Sequence, residues 1–254
     1  MKKFNYAIFR TPAKPYQNLE SSDAGDRLKV IKEHETLIHF VKNVPVRVHQ
    51  LKGDKKDCIV SKLNQLCIAT EKCVILNNFS DPATNNQKIM LTAHLSRFYP
   101  LDKIFFIDFE GLVSSEDVLQ IDDTFYVSLS EKTNQEGINQ LSEILKELSY
   151  KVVLIQDSPE PLQKYLNYIE GNNLLFKENA NVPECFANFN KIPVSENESS
   201  AIGAIWINDT IILPLVCEAT KQTLININRY KVLSIANDML NLKQILLKEF
   251  LVLF

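Results

Sequence analysis

A repeated strand–helix–strand unit is the sequence feature that most constrains the fold of this chain. One copy begins at Asp122 and reads DDTFYVSLSEKTNQEGINQLSEILKELSYKVVLI. A second begins at Asn208 and reads NDTIILPLVCEATKQTLININRYKVLSI, and residues 70–107 follow the same layout with a longer turn. A recurring unit of this kind indicates one repeated architecture rather than separate domains. We therefore expect a single domain over residues 1–254.

Hydrophobic periodicity places helices and strands within and around these units. A first helix is expected over 28–43, and a central helix is expected to begin at a capping box formed by Thr133 and Glu136. The central helix carries an apolar stripe at helical spacing: Ile138, Leu141, Ile144, Leu145 and Leu148. Short β-rich runs lie at 7–9, 46–51, 73–76, 104–107, 152–155, 205–207 and 211–213, and the terminal FLVLF indicates a last buried strand. Strands that alternate with helices are typical of an α/β fold.

Composition excludes several classes of function. The net charge is -3 and no basic stripe is present, so we expect no nucleic-acid partner. No apolar run approaches the roughly 20 residues that span a bilayer, and no secretory signal is evident, so we expect a cytoplasmic protein without a membrane partner. The chain has only six glycines, which rules out glycine-rich phosphate cradles, and we expect no cofactor.

The cysteines and histidines do not form a metal site in this sequence. The five cysteines are odd in number and irregularly spaced, which indicates reduced thiols that behave as small buried hydrophobes. His34 and His39 are five residues apart, so on a helix their imidazoles point about 140° apart and cannot share a metal ion. His49 and His94 stand alone in a strand and a helix, where structural roles are expected.

The residues alone indicate no catalytic site. No G-x-S-x-G nucleophile elbow occurs in the sequence. The acidic pairs Glu116-Asp117 and Asp122-Asp123 are interpreted as solvated loop residues.

Residues 113–137, VSSEDVLQIDDTFYVSLSEKTNQEG, nevertheless resemble the dimethylarginine dimethylaminohydrolases, a family of the guanidine-modifying, or pentein, superfamily. The resemblance covers nearly the whole chain. It includes IFRTP from Ile8, RFYP from Arg97, EGNNLL from Glu170, IWIN from Ile205, ILP from Ile212 and the terminal Phe254. It implies a five-bladed α/β propeller of ββαβ-type repeats, which agrees with the repetition of strand–helix–strand units.

The resemblance also implies where the catalytic residues should lie. The family uses a cysteine thiolate to attack the guanidinium carbon, a histidine as acid and base, and carboxylates that hold the cationic substrate. In this chain the nucleophile position is occupied by Glu249, the histidine position by Pro161 or Leu162, and the acid position by Ser114. Lys132 replaces the arginine of the family's Ser-x-Arg-Thr-Asn pattern. The sequence therefore predicts a family member without its catalytic residues.

Three functions remain open at this point. The first is an inactive homologue with a binding, regulatory or partner-stabilising role. The second is an active amidinohydrolase on arginine-like substrates, in which Cys58 or Cys67 would have to converge with His49 or His94. The third is a structural subunit, paired with an active relative. A non-covalent homodimer is also expected, because family members are commonly dimeric.

The candidate pocket consists of Glu116, Asp117, Lys132, Lys248 and Glu249. One hypothesis is that Lys132 or Lys248 pairs with Glu249 and plugs the former active centre. The alternative is that Glu249, Glu116 and Asp117 keep the pocket negative, so that it holds a guanidinium-like cation without reacting. A third interpretation leaves Glu249 pointing to solvent.

Overall fold

The computed structural model describes residues 3–10, 21–51, 63–78, 91–227, 229–238 and 246–254. Within these residues the strands form five sheets of three strands each. The residues divide into two compact units, Asn64–Pro193 and a second unit made of Met1–Leu63 with Val194–Phe254. The expectation of a single domain over residues 1–254 stays a prediction.

The repeat that contains Asp122 is built as the sequence predicts. Strands Val118–Ile121 and Thr124–Ser128 pair antiparallel across a two-residue turn. Helix Gln135–Glu147 follows, and strand Lys151–Ile155 then pairs parallel with Thr124–Ser128. Asp122 has a φ of 49°, the left-handed conformation that such a tight hairpin requires and that Asp tolerates better than most residues.

The repeat that contains Asn208 has the same order of elements and the same turn. Ile205–Ile207 pairs antiparallel with Thr210–Pro214, helix Glu218–Asn226 follows, and Lys231–Ile235 returns parallel. Asn208 has a φ of 56° at the hairpin, in the place that Asp122 takes in the other unit. The resemblance between the two sequence segments is therefore a resemblance of structure.

The remaining three sheets vary this pattern. One begins with the last strand of the chain: Leu251–Leu253 pairs antiparallel with Tyr6–Arg10, helix Ser21–Lys42 follows, and Arg47–Leu51 pairs parallel with Tyr6–Arg10. The other two sheets consist of Cys67–Ala69, Val74–Leu76 and Ile104–Phe106, and of Leu166–Ile169, Asn173–Lys177 and Asn190–Val194. The shorter helical segments are Leu63–Gln65, Leu101–Lys103, Ser115–Asp117, Leu162–Tyr165, Glu184–Phe186, Glu196–Gly203 and Leu247–Phe250.

The helix Gln135–Glu147 shows how apolar spacing becomes a core. Ile138, Leu141 and Leu145 are buried, and they pack in one cluster with strand residues such as Phe125 and Val127. The predicted capping box is wrong, because the helix begins one residue later. Its N-cap is Asn134, whose side chain accepts a hydrogen bond from the Gly137 N–H at 2.8 Å.

The predicted strands agree with the observed strands to within one residue at each end. The first helix begins earlier than predicted, at Ser21, and it buries Leu37, Ile38 and Val41. Trp206 is buried. No helix of the described residues has the length and apolar character needed to cross a membrane.

Candidate functional site

The turn at residues 114–117 lies within the unit Asn64–Pro193 and leads into strand Val118–Ile121. Ser114 precedes the single helical turn Ser115–Asp117, and its hydroxyl accepts a hydrogen bond from the Glu116 N–H at 3.4 Å. The Ser115 hydroxyl accepts a hydrogen bond from the Asn77 amide at 2.9 Å and donates one to the Cys67 carbonyl at 3.2 Å. These bonds fix the backbone on which the two acids stand.

Asp117 is fully buried within a set of hydroxyl groups. The hydroxyls of Ser130 and Thr133 each donate to Asp117 Oδ2 at 2.6 Å, and Ser128 lies 3.5 Å from Oδ1. Burial raises the pKa of the Asp117 carboxyl above its ordinary value, although the bonds from Ser130 and Thr133 oppose that rise. Asp117 therefore ties the loop that carries Lys132 to the turn at residues 114–117.

Glu116 is buried between two lysines. Its side chain is 6% exposed, with Lys164 Nζ 3.2 Å from Oε1 and Lys132 Nζ 3.7 Å from Oε2. The Lys164 side chain is 24% exposed, whereas that of Lys132 is 70% exposed. The interpretation of Glu116 and Asp117 as solvated loop residues is thus wrong, whereas Asp122 and Asp123 are exposed as expected.

Helix Leu162–Tyr165 occupies the region where the resemblance places the family's histidine. Pro161 precedes this helix, and Leu162 is fully buried in an apolar cluster with Leu119 and Tyr165. The Gln163 amide donates to the carbonyls of Ser115 and Val118, each at 2.8 Å. The helix therefore packs against the acidic turn, and this contact brings Lys164 to Glu116.

Glu249 lies in the other unit, in the helical turn Leu247–Phe250 that precedes strand Leu251–Leu253. It is 2% exposed, and its backbone N–H donates to the Leu246 carbonyl at 3.0 Å. The interpretation in which Glu249 points to solvent is therefore wrong. Lys248 beside it is half-buried. The pairing of Glu249 with Lys132 or Lys248 stays a prediction, whereas the ion pair of Lys132 with Glu116 is present.

The described cysteines lack the properties of an activated thiol. Burial raises the pKa of Cys67 to about 12, and burial also raises the pKa values of Cys73, Cys185 and Cys217. A nucleophilic cysteine needs the opposite shift, since the thiolate is the reactive form. Cys58, the other cysteine considered as a relocated nucleophile, lies outside the described residues.

Metal binding and histidine chemistry find little support in the part of the chain that the structure describes. Those residues contain no group of three histidine, cysteine or acidic side chains placed to hold a metal ion. His49 lies on strand Arg47–Leu51 with its ring 5.9 Å from that of Tyr6, and His94 is half-buried.

Two contributors to the site were missed by sequence reasoning. Lys164 belongs to no recognisable motif. Its ion pair with Glu116 is revealed only by the packing of helix Leu162–Tyr165 against the acidic turn. Thr133 was assigned to a capping box, but its hydroxyl donates to Asp117 and accepts a bond from the Ser114 N–H at 2.9 Å. The Ser-x-Lys-Thr-Asn pattern could have indicated the contact of Thr133 with Asp117, because it places the hydroxyls of Ser130 and Thr133 near the acidic turn.

Comparison with solved structures defines the class of protein. A serine-for-cysteine variant of Pseudomonas aeruginosa dimethylarginine dimethylaminohydrolase, complexed with citrulline, superimposes with a TM-score of 0.88 and 25% identity over all of both chains. An amidinotransferase from Microseira wollei, in the saxitoxin biosynthetic pathway, gives a TM-score of 0.78 and 11% identity over 98% of this chain and 94% of that one. The chain has the mixed α/β pentein fold of guanidine-modifying proteins, and the five sheets of its described residues correspond in number to the five blades of that fold.

Sequence comparison narrows the class to one family. The dimethylarginine dimethylaminohydrolase of Pseudomonas aeruginosa is 31% identical over 240 residues, which cover 91% of this chain and 92% of that protein. No protein-family model matches the sequence. The chain belongs to the dimethylarginine dimethylaminohydrolase family.

Proposed function

We propose that this chain is a catalytically inactive member of its family, with a binding or regulatory role toward a partner. The proposal rests on the residues found at three catalytic positions of the family, because each of them differs from the catalytic residue expected there. By resemblance, Glu249 stands for the nucleophile, Pro161 or Leu162 for the histidine, and Ser114 for the acid. The match to a relative over 91% of this chain supports the register on which these assignments rest.

The replacements cannot carry out the family's reaction. A thiolate adds to the guanidinium carbon and is later expelled, and a glutamate carboxylate cannot replace it in that cycle. Neither proline nor leucine has a side-chain proton to exchange, and Leu162 fills its place with buried apolar surface. Ser114 supplies a hydroxyl where a negative charge would hold a cationic substrate.

Relocated catalysis by Cys67 is disfavoured on physical grounds. Its thiol is buried, and its pKa of about 12 leaves almost no thiolate at neutral pH. An active amidinohydrolase would therefore have to rely on Cys58, or on a thiol whose environment changes on binding substrate.

The two lysines beside Glu116 affect how well the acidic turn could bind a cationic ligand. A guanidinium-like cation that approached Glu116 would compete with two ammonium groups already within 4 Å of the carboxylate. The gain from a third cation is small when the acid is compensated in this way. This disfavours a cationic small molecule at Glu116 and leaves a protein partner, either a second copy of this chain or a related active subunit, as the alternative.

A thiol-directed probe tests the proposal. The ligand 4-chloro-2-hydroxymethylpyridine forms an adduct with a dimethylarginine dimethylaminohydrolase. We expect intact-mass spectrometry of this chain to show no stoichiometric adduct after incubation, with that dimethylarginine dimethylaminohydrolase as the positive control. A stoichiometric adduct that disappears in Cys58→Ser would instead support the relocated active site.

Calorimetry and light scattering separate the possible partners. Arginine and methylated arginines are expected to give no measurable heat of binding. Binding of one of these compounds that is lost in Glu249→Ala would instead show that the pocket at Glu249 binds a cationic ligand. Light scattering at micromolar concentration is expected to give twice the mass of the 29.1 kDa chain, whereas the monomer mass would exclude a stable homodimer.

A further inference from the structure

His34 is a histidine fully enclosed by apolar surface. It lies on helix Ser21–Lys42 and is 0% exposed. Its ring meets Phe9 of strand Tyr6–Arg10 edge-on, with 5.8 Å between centroids, and it meets Phe250 in the same way at 5.2 Å. Phe250 directly follows Glu249 in the turn Leu247–Phe250. The imidazole thus joins a helix, a strand and the turn that carries the replaced nucleophile.

The environment of His34 suits only the neutral ring. Neither ring nitrogen has a hydrogen-bond partner within the described residues. Burying a neutral imidazole in this way costs a modest free energy, whereas burying an imidazolium without partners costs far more. Burial accordingly lowers the pKa of His34 to about 4.

Charged groups occur on each element that packs around His34. Strand Tyr6–Arg10 carries Arg10, which is buried, and the turn Leu247–Phe250 carries Lys248 and Glu249. On its own helix the neighbours are Glu33, which is half-buried, and Glu35, which is exposed. Burial is nevertheless the cause of the lowered pKa, so the apolar enclosure outweighs these charges.

We infer that His34 is a proton-sensitive latch, whose protonation releases the Leu247–Phe250 turn together with Glu249. The neutral ring fits between Phe9 and Phe250 and holds the turn against helix Ser21–Lys42. The protonated ring must reach water or an anion, and movement of Phe250 would open a path for it. The turn Leu247–Phe250 is the element expected to move, because it is only a single helical turn. Phe9, the other neighbour of the ring, lies on a strand that is paired on both sides.

The sign of the pH dependence follows from the lowered pKa. The unfolded chain binds a proton at His34 near pH 6.5, whereas the folded chain does so only near pH 4. The contribution of neutral His34 to stability is therefore complete above pH 6.5 and is lost as the pH falls toward 4. Between pH 7.5 and 5.0 this one group increases the unfolding equilibrium constant roughly 25-fold.

Fluorescence of the sole tryptophan gives the first test. Trp206 belongs to the same unit as His34, so denaturant unfolding followed by its emission reports on that unit. The wild type is expected to lose stability between pH 7.5 and 5.0 by that roughly 25-fold factor, and His34→Leu is expected to lose most of the dependence. His39→Leu, on the exposed side of the same helix, serves as the control and should behave as the wild type. Equal pH dependence in His34→Leu and the wild type would overturn the inference.

Hydrogen exchange of the wild type gives a second test that needs no variant. After correction for intrinsic exchange, the amides of Leu247–Phe250 are expected to lose protection roughly 20-fold between pH 7.0 and 5.0, and at pH 5.0 to exchange at least about tenfold faster than the global unfolding that Trp206 reports allows. The Glu249 amide, bonded to the Leu246 carbonyl, is the most informative single site. Exchange of that amide only at the rate set by global unfolding would show that the turn is not released on its own and would overturn the latch.

Discussion

Glu116 is the residue whose environment departs most from a simple loop. A buried carboxylate is costly unless opposite charges and hydrogen bonds compensate it, and Lys164 and Lys132 supply that compensation here. The two lysines differ, since Lys164 is closer to the carboxylate and less exposed. Their contributions to stability should therefore differ as well.

Replacing each lysine by methionine measures this difference. Lys164→Met is expected to lower the free energy of unfolding by about 1–3 kcal/mol, because Glu116 then keeps only its exposed partner. Lys132→Met is the matched control and should cost less than about 1 kcal/mol, as exposed ion pairs do. Urea denaturation at low and high salt provides the measurement. Equal losses in the two variants would contradict the assigned roles.

The sequence predicted some of these residues and missed others for a physical reason. Glu116 and Asp117 were singled out because a motif marks them, and Lys132 because it replaces an arginine in that motif. Lys164 reaches Glu116 only through the packing of helix Leu162–Tyr165, a tertiary contact that no local spacing encodes.

At the scale of elements, Gly137 sets how closely helix Gln135–Glu147 approaches the chain before the acidic turn. A Cβ atom at Gly137 would lie 2.1 Å from the Leu112 carbonyl oxygen, a distance that only backbone movement could relieve. The Asn134 side chain reinforces this approach, because its carbonyl accepts bonds from the N–H groups of both Leu112 and Gly137.

Alanine substitution of two helical glycines tests this packing. Gly137→Ala is expected to destabilise the protein by about 2–3 kcal/mol, although alanine is normally the better helix former. Gly25 lies in helix Ser21–Lys42, and a Cβ atom added there would meet nothing within 4 Å, so Gly25→Ala is expected to stabilise by about 0.5–1 kcal/mol. Thermal denaturation checks both signs. A stabilising Gly137→Ala would refute the close approach.

Helix Glu218–Asn226 is capped from a distance. The Glu198 carboxylate accepts hydrogen bonds from the N–H groups of Ala219 and Thr220, each at 2.8 Å, and from the Thr220 hydroxyl at 2.7 Å. Although burial opposes the shift, these bonds leave the pKa of Glu198 below its ordinary value. A carboxylate at a helix N-terminus also interacts favourably with the helix dipole.

Glu198→Ala is expected to cost about 1–2 kcal/mol at pH 7, the usual value of a lost N-terminal cap. Because the folded pKa is lowered, this contribution is present above the unfolded pKa of 4.5 and is lost as the pH falls through the folded value. The stability gap between wild type and variant should therefore narrow below pH 4.5. Glu196→Ala, at an exposed neighbour, is the control. A stability difference between the wild type and Glu198→Ala that does not change with pH would contradict capping by a charged Glu198.

Local elements were the most predictable part of the fold. Apolar spacing located the two predicted helices and many of the strands, because burial of one face requires that spacing, but it did not predict Cys67–Ala69 or Asn190–Val194. The N-terminus of helix Gln135–Glu147 was not predicted, since Thr133, Asn134 and their neighbours offer competing caps. The buried Asp117 uses the Thr133 hydroxyl, which leaves Asn134 as the cap.

At the scale of the molecule, repetition in sequence predicted repetition in structure. The hairpins at Asp122 and Asn208 have the same turn length and the same left-handed position, and a helix and a parallel strand follow each of them. The pairing of Leu251–Leu253 with Tyr6–Arg10 could not be predicted from spacing, because it joins strands from opposite ends of the sequence. The five-bladed arrangement was predicted from the family resemblance and not from local sequence patterns.

Release of citrulline from dimethylarginine is the most direct measurement of catalytic inactivity. The family chemistry needs a thiolate, a proton carrier and a carboxylate for the cation, and the proposal assigns Glu249, Pro161 or Leu162, and Ser114 to those positions by resemblance. At micromolar protein and millimolar substrate over hours, we predict no citrulline above a protein-free blank. Reproducible citrulline release that is lost on substitution of any one of the five cysteines by serine would contradict that prediction.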